Sequence, residues 1–252
     1  GLDSIVFWDD DPVNRELIKQ KLSDVFVVDV PKDYSIYAKT LRNLPFFNSF
    51  TLTDEDMKKG QMYASQKQRK TFENNFTNMD DFLSSLEMEV IHQDANEFTI
   101  PRISQLVMKT NQFNLTSKRY SENEIRKMAH NKIDYVIRTF SINDKFGDNG
   151  LTGLYIINKF SQKQWIIDSF LLSCRVMGRN IENTMLNDIL ELAKKENVDE
   201  IIGEYIPSVK NSVTKDLYVQ YGFEIFSDTK FILKDISNFT LKPISYIKSS
   251  KN

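Results

Sequence analysis

The chain has one cysteine, Cys174, in 252 residues, which excludes an intrachain disulfide. It has two histidines, His92 and His130, too widely separated to give paired metal-ligand spacing, so no zinc site is expected. A surplus of charge of one sign is also missing. Lys and Arg number 33 against 35 Asp and Glu, which leaves no cationic excess for a nucleic-acid backbone or an anionic lipid surface. No apolar run approaches the ~20 residues that span a bilayer. The densest, Ile166 to Leu172, is interrupted by Asp168 and Ser169. Low-complexity linkers and internal repeats are absent. No initiator Met or leader precedes Gly1-Leu2-Asp3, so the chain reads as a fragment, with a cytoplasmic location as the default expectation.

What remains is sufficient for a folded core. Hydrophobic residues make up 40% and charged residues 27%, outside the disordered range, and the length admits two domains. Ser4 to Trp8 is a short β-rich run closed by Asp9-Asp10-Asp11-Pro12, after which Val13, Leu17, Ile18 and Leu22 recur at helical spacing. Val25 to Val30 is a second strand candidate and Tyr34 to Leu44 a second helix, a βαβα pattern. Residues 51–85 are polar and helical, opening on Thr53-Asp54-Glu55-Asp56, which resembles a capping box.

From Leu86 the expected order is strand (86–91), helix (100–110), helix (122–131) and strand (133–142). A turn over Asp144 to Gly150 then leads to strands at 151–160 and 165–173. A long helix (180–197), a strand (200–206), a helix (213–221) and a strand pair around 223–233 complete it. This order, with an antiparallel meander at its centre, is what a GNAT domain presents.

Two stretches carry candidate chemistry. In Ser173-Cys174-Arg175-Val176-Met177-Gly178-Arg179-Asn180 a strand ends, Arg and Gly stand three apart, and a helix begins. Such a turn can direct N–H groups and a positive helix end at a pyrophosphate. The stretch resembles the GNAT pattern Q/R-x-x-G-x-G/A, with Arg175 and Gly178 matching and Asn180 in place of a small residue. An ordinary strand-to-helix turn with two solvated arginines is the alternative. Downstream, Asn211 precedes a helix carrying Tyr218 and ending in Tyr221-Gly222-Phe223, similar to the Asn, Tyr and Gly-Phe signature of GNAT domains. That likeness implies Asn211 near a pantetheine arm and Tyr218 as the acid that protonates a leaving thiolate, a role open to a phenol of pKa ~10. A core aromatic is the alternative for Tyr218.

Longer strings resemble FkbH-like proteins: Lys109 to Thr116, Asp144 to Leu151, Ser173 to Arg179, Gly203 to Pro207, and Val6 to Asp10 with Pro12 and Glu16. The resemblance implies the C-terminal piece of a HAD phosphatase domain of Rossmann-like α/β fold, followed by a GNAT-like α/β domain whose central sheet is mostly antiparallel. It implies an acyltransferase that loads a small acyl group, such as glyceryl, onto an acyl carrier protein through a cysteine thioester. The position that matches is Cys174. A thiol beside Arg175 and Arg179 at a helix start suits that role, whereas a buried inert cysteine is the alternative.

Ser173, Arg175, Gly178, Arg179 and Asn180 are then the expected cofactor-binding positions, for the phosphopantetheine of coenzyme A or of a carrier protein. Lys109, Asn111 and Asn114 are candidate acyl-donor contacts. Asp9 and Asp10 match the late HAD carboxylates that hold Mg²⁺, a site complete only with the upstream HAD domain. Their alternative is an acidic turn capping a helix. The expected division is 1–50 (HAD remnant), 51–85 (helical connector), 86–245 (acyltransferase domain) and 246–252 (tail). Rival readings are a coenzyme A dependent N- or O-acyltransferase with a small-molecule acceptor, and a non-catalytic module that docks a carrier protein. Nucleic acid and membrane are not expected partners.

Overall fold

In the computed structural model, which describes residues 2, 5–47, 59–242 and 244–251, the chain divides into two compact units, Gly1–Leu52 and Thr53–Asn252. The first is small. Strand β1 (Val6–Phe7) pairs in parallel with β2 (Phe26–Val27) through helix α1 (Pro12–Lys21). Asp11 caps α1 by accepting the N–H of Val13 at 2.8 Å, and Pro12 stands in the first turn, where its missing donor costs nothing. Helix α2 (Tyr37–Asn43) follows a 3₁₀ turn (Tyr34–Ile36). Both strands are shorter than the runs 4–8 and 25–30 suggest, although Val25, Val27 and Val28 are buried as expected.

The second unit begins with helices α3 (Lys59–Glu73) and α4 (Met79–Ser85). The expected capping box at Thr53 to Asp56 lies outside the described residues. Next come β3 (Met88–Asp94), α5 (Ile100–Lys109), α6 (Glu122–His130), β4 (Tyr135–Asp144), β5 (Gly147–Asn158) and β6 (Gln164–Leu172). The remainder is α7 (Ile181–Lys195), β7 (Glu200–Glu204), α8 (Leu217–Tyr221), β8 (Glu224–Ser227), β9 (Lys230–Lys234) and β10 (Ile247–Lys251). From β3 to β9 this is the order expected from the sequence. The eight strands form one sheet in the order β10-β3-β4-β5-β6-β7-β9-β8, antiparallel throughout except for β10 with β3 and β6 with β7.

Side-chain alternation builds a core on each face of the sheet. Leu154 and Ile156 of β5 meet Ile100, Ile103, Leu106 and Val107 of α5 and Ile125 of α6. Their neighbours Tyr155 and Ile157 meet Met185, Ile189 and Ala193 of α7 on the other face, with Trp165 and Phe170 of β6. Each fully buried large apolar side chain contributes about 1.5–3 kcal/mol by leaving water.

Two expectations change here. The stretch 246–252, read as a tail, supplies β10, which continues the sheet beside β3. The stretch 51–85, read as a connector, carries α3 and α4, and Met62, Arg69, Phe82 and Leu83 in it are buried within the second unit.

A buried polar network ties α7 to the sheet. Asp188 accepts from Arg138 (2.7 Å) and from Tyr155 OH (2.6 Å), and His92 Nδ1 lies 3.2 Å away. Burial lowers the His92 pKa below its ordinary 6.5, Asp188 opposing and Arg138 assisting. The folded chain therefore binds fewer protons at His92 than the unfolded chain does. This contribution to stability is present above about pH 6.5 and is lost as pH falls through the lowered folded value. Chemical denaturation between pH 5 and 7.5 is expected to show stability falling on the acidic side, and His92→Gln is expected to flatten that slope.

Candidate active site

The parallel pairing of β6 with β7 runs from Gln164↔Glu200 to Ile167↔Gly203 and stops there. On its other side β6 is irregular at the same level: Ile157 of β5 pairs with Ile167 and Ile156 with Ser169, which leaves Asp168 as an extra, unpaired residue. Such a bulge re-aims a side chain out of strand alternation. The polar interruption noted in the run Ile166 to Leu172 is therefore the point where β6 departs from a regular ladder.

Around Asp168 the fold gathers groups from separate elements. Its carboxylate accepts from Lys118 Nζ (2.5 Å), Tyr120 OH (2.8 Å) and Ser169 Oγ (3.0 Å). Lys118 also reaches Glu204 at the end of β7, at 2.8 Å. Burial works against the charge on Lys118, but the hydrogen bonds to the two carboxylates overcome it and raise its pKa. Burial, then the Asp168 charge, raises the Tyr120 phenol, so it stays a donor.

Tyr218 of α8 completes the group. Its ring lies flat on Gly203, so closely that a Cβ there would stand 2.5 Å from the Tyr218 Cζ, and only glycine fits. Phe223 and Phe231 hold the ring at centroid distances of 5.0 and 5.6 Å. The residue is 1% exposed, and its hydroxyl is buried without a hydrogen-bond partner among the described residues. Burial first, then the charges of Glu204 and Asp168, raise its pKa well above the ordinary value. Tyr218, expected as the acid, is thus a buried phenol held protonated, whereas Asp168, Glu204, Lys118 and Tyr120 were not anticipated as a site.

Beyond Ile167 and Gly203 the gap between β6 and β7 is closed by the chain itself. Leu172 N donates to Phe113 O (3.0 Å), Leu115 N to Phe170 O (3.1 Å) and Ile206 N to Leu115 O (2.8 Å). Asn114, expected as a donor contact, is fully buried and fixes this segment by accepting from the N–H groups of Thr116 (3.3 Å) and Ser117 (2.9 Å). Asn111 accepts from Arg119, and Lys109 is exposed in the last turn of α5. Asn211, expected near a pantetheine arm, is also fully buried. It donates to Asn114 O (2.9 Å) and Ile206 O (3.0 Å) and accepts from Ser208 N (2.8 Å). Asn114 and Asn211 are therefore corrected to positioning residues, because their polar atoms are engaged by neighbouring backbone and by the Tyr205 hydroxyl.

The turn into α7 holds the remaining expected positions. Ser173 Oγ accepts the N–H of Arg175, opening a 3₁₀ turn (Cys174–Val176) in which Cys174 is exposed. Gly178 takes φ +75° with open space above it, and Asn180 starts α7 from a left-handed conformation, its amide bonded to the Tyr246 hydroxyl. Arg175 lies against Met62 of α3. Arg179, expected to bind phosphate, is instead buried: it bonds Asp144 at 3.0 Å and the Arg175 carbonyl at 2.6 Å. Burial, together with nearby Arg69, pushes its pKa down to about 10. Glu182 places a carboxylate in the first turn of α7, its pKa raised by burial. Of the two arginines in this turn, Arg179 is thus committed to Asp144 and the backbone, while Gly178 is open to solvent.

In the first unit, the half-buried Asp9 accepts from Asp11 N (2.8 Å) and Asn14 Nδ2 (3.2 Å), and Arg15 binds the carbonyls of Asp9 and Asp10. Among the described residues no group of three or more His, Cys, Asp or Glu side chains is placed to hold a metal ion. The carboxylates of Asp9 and Asp11 organise the start of α1, and Asp10 contributes its backbone carbonyl.

No protein-family model and no curated protein sequence matches the chain. Solved structures similar to it include Ard1 from Thermoplasma volcanium, 11% identical over 57% of this chain and 97% of that one, at a TM-score of 0.45. Others are the GNAT domain of S. lividans PAT (12%; 57% and 89%; TM-score 0.46) and spermidine N-acetyltransferase from Vibrio cholerae in complex with CoA and spermine (14%; 57% and 95%; TM-score 0.42). No helix among the described residues is long and apolar enough to cross a membrane.

Proposed function

We propose that the second unit is a GNAT-type acyltransferase that moves an acyl group from a phosphopantetheine thioester to an acceptor at the end of the β6–β7 pairing. The observation that carries this reading is the bulged Asp168, bridged to Glu204 by Lys118, with the unpartnered Tyr218 phenol packed on the adjoining Gly203. A carboxylate and a protonated phenol are the two proton-handling groups that the reaction needs. The acceptor X–H gives its proton to the Asp168–Glu204 pair as X bonds to the thioester carbonyl carbon. The carbon–sulfur bond then breaks, and the departing thiolate takes the proton of Tyr218. Gly178, with open space above it, is the part of the turn into α7 that a pyrophosphate or phosphate can approach.

A second reading follows from the strings that resemble FkbH-like proteins and from the exposure of Cys174 at the head of that turn. Here Cys174 first takes the acyl group as a thioester, and the thiol of an acyl carrier protein then receives it. The first unit, in this reading, completes a HAD-type phosphatase domain supplied by an upstream segment, which would bring the further Mg²⁺ ligands.

Mass spectrometry of the intact chain and of Cys174→Ser, each given acetyl-CoA with an alkylamine, an alcohol or an acyl carrier protein, separates the two. Direct transfer is expected to persist in the serine variant without a protein adduct. An adduct in the parent chain that disappears together with transfer in Cys174→Ser would establish the thioester route. Absence of transfer to every acceptor would overturn the acyltransferase reading for acetyl-CoA and leave the carrier-docking module.

A further inference from the structure

Two carboxylates from neighbouring parallel strands share one cation where those strands stop pairing. Lys118 Nζ is 2.5 Å from Asp168 Oδ1 and 2.8 Å from Glu204 Oε2. Through that nitrogen the carboxylates are held within about 5 Å of each other, a range over which like charges strongly shift each other's protonation. Lys118 belongs to neither strand. It arrives on the segment after Leu115, where the buried Asn114 side chain and a left-handed Ser117 (φ 54°) fix the path of the backbone.

The other groups facing the pair cannot replace this ammonium. Tyr120 and Tyr218 are both kept neutral, burial being the first cause in each. Lys230 of β9 is 3.9 Å from the second Glu204 oxygen, with its side chain 41% exposed, so solvent screens it. Ser169 supplies a neutral hydroxyl.

We propose that Lys118 is a positioning residue that keeps Asp168 and Glu204 ionised together, so that the pair is ready to take the acceptor's proton. The inference rests on the acyltransferase reading for its chemical purpose. Without the ammonium, the repulsion between the two close negative charges is uncompensated, which favours a proton on one of them. The acceptor's proton then has no destination until the pH rises enough to remove the one already there.

The test uses the full chain with Lys118→Met, Lys118→Gln and Lys118→Arg. Side-chain carboxyl ¹³C resonances, assigned with Asp168→Asn and Glu204→Gln, are titrated by NMR between pH 3 and 9. Transfer from acetyl-CoA is measured over the part of that range where the chain stays folded.

In Lys118→Met and Lys118→Gln one carboxyl is expected to titrate at least one pH unit higher than in the parent chain. The acidic limb of the rate profile is expected to move with it, a loss of about tenfold at a fixed acidic pH. The plateau at high pH is retained, and Lys118→Arg restores both observables.

Unchanged carboxyl titration in whichever of the two uncharged variants folds would overturn the inference, with or without detectable transfer. A uniform loss of rate at every pH, or a rise in KM alone, would also overturn it, because either marks a merely structural role. A shifted carboxyl in a chain that transfers nothing to any acceptor would sink the acyltransferase reading while leaving the electrostatic role of Lys118 in place.

Discussion

Tyr218→Phe is expected to lower acyl transfer by about 10²- to 10⁴-fold, the usual contribution of a positioned proton donor, without destabilising the chain. The two halves of this expectation come from one fact, the burial of the Tyr218 hydroxyl without a partner. A buried polar group left unsatisfied costs about 1–3 kcal/mol, so removing the oxygen relieves a penalty instead of breaking a bond. The ring keeps its contacts with Gly203, Phe223 and Phe231. Steady-state kinetics should therefore show kcat falling with KM little changed, while thermal denaturation shows a midpoint equal to or above that of the parent chain. An active phenylalanine variant would remove Tyr218 from the mechanism. A variant that is inactive and also unstable would mean that the hydroxyl is doing structural work the geometry does not reveal.

The second large effect is on stability. Asp144, at the end of β4, has a fully buried carboxylate that accepts from Arg69 of α3 (2.8 Å), Arg179 (3.0 Å), Asn149 (3.2 Å) and the N–H of Phe146 (2.9 Å). Asp144→Asn keeps the shape and removes the charge that two almost completely buried guanidiniums contact directly. Breaking one side of such a buried cluster costs about 3–5 kcal/mol. In a unit of this size that corresponds to a fall in melting temperature on the order of 10 °C, measurable by calorimetry. Because Arg179 joins this cluster to the turn that carries Gly178, amide exchange over residues 175–180 is expected to accelerate as well. A loss below about 1 kcal/mol would show that the cluster contributes geometry without stability.

The sheet was largely legible in the sequence because its central strands and covering helices carry strong periodicity. The stretches 100–110 and 180–197 show apolar residues at helical spacing, and both are helices within two residues of those bounds. Strand β10 was not legible. Ile-Lys-Ser-Ser-Lys has one apolar residue in five, and its conformation is set by the free edge of β3. The site divides in the same way. Tyr218 and Gly178 were singled out by motif, from residue type and order along the chain alone. Arg179 and Asn211 matched by type, but a sequence does not reveal that a side chain turns inward to satisfy buried carboxylate or carbonyl oxygens. Asp168 left a trace as a polar residue inside an apolar strand. Its partners left none, because Lys118 and Glu204 are 50 and 86 residues away along the chain from the groups they meet.

That separation also sets when the site can exist. The meander β4–β5–β6 closes through short connections and needs only local contacts, so it belongs to the fast part of folding. The wedge between β6 and β7 needs Phe113 to Leu115, Phe170 to Leu172 and Ile206 together, fastened by an Asn211 amide that reaches Asn114 across 97 residues. Synthesis from the N-terminus delivers Lys118, Tyr120 and the bulge at Asp168 before it delivers Glu204 and Tyr218. At that stage only β3 to β6 of the eight-stranded sheet exist, and the proton transfer proposed for the site waits until β7 and α8 have docked.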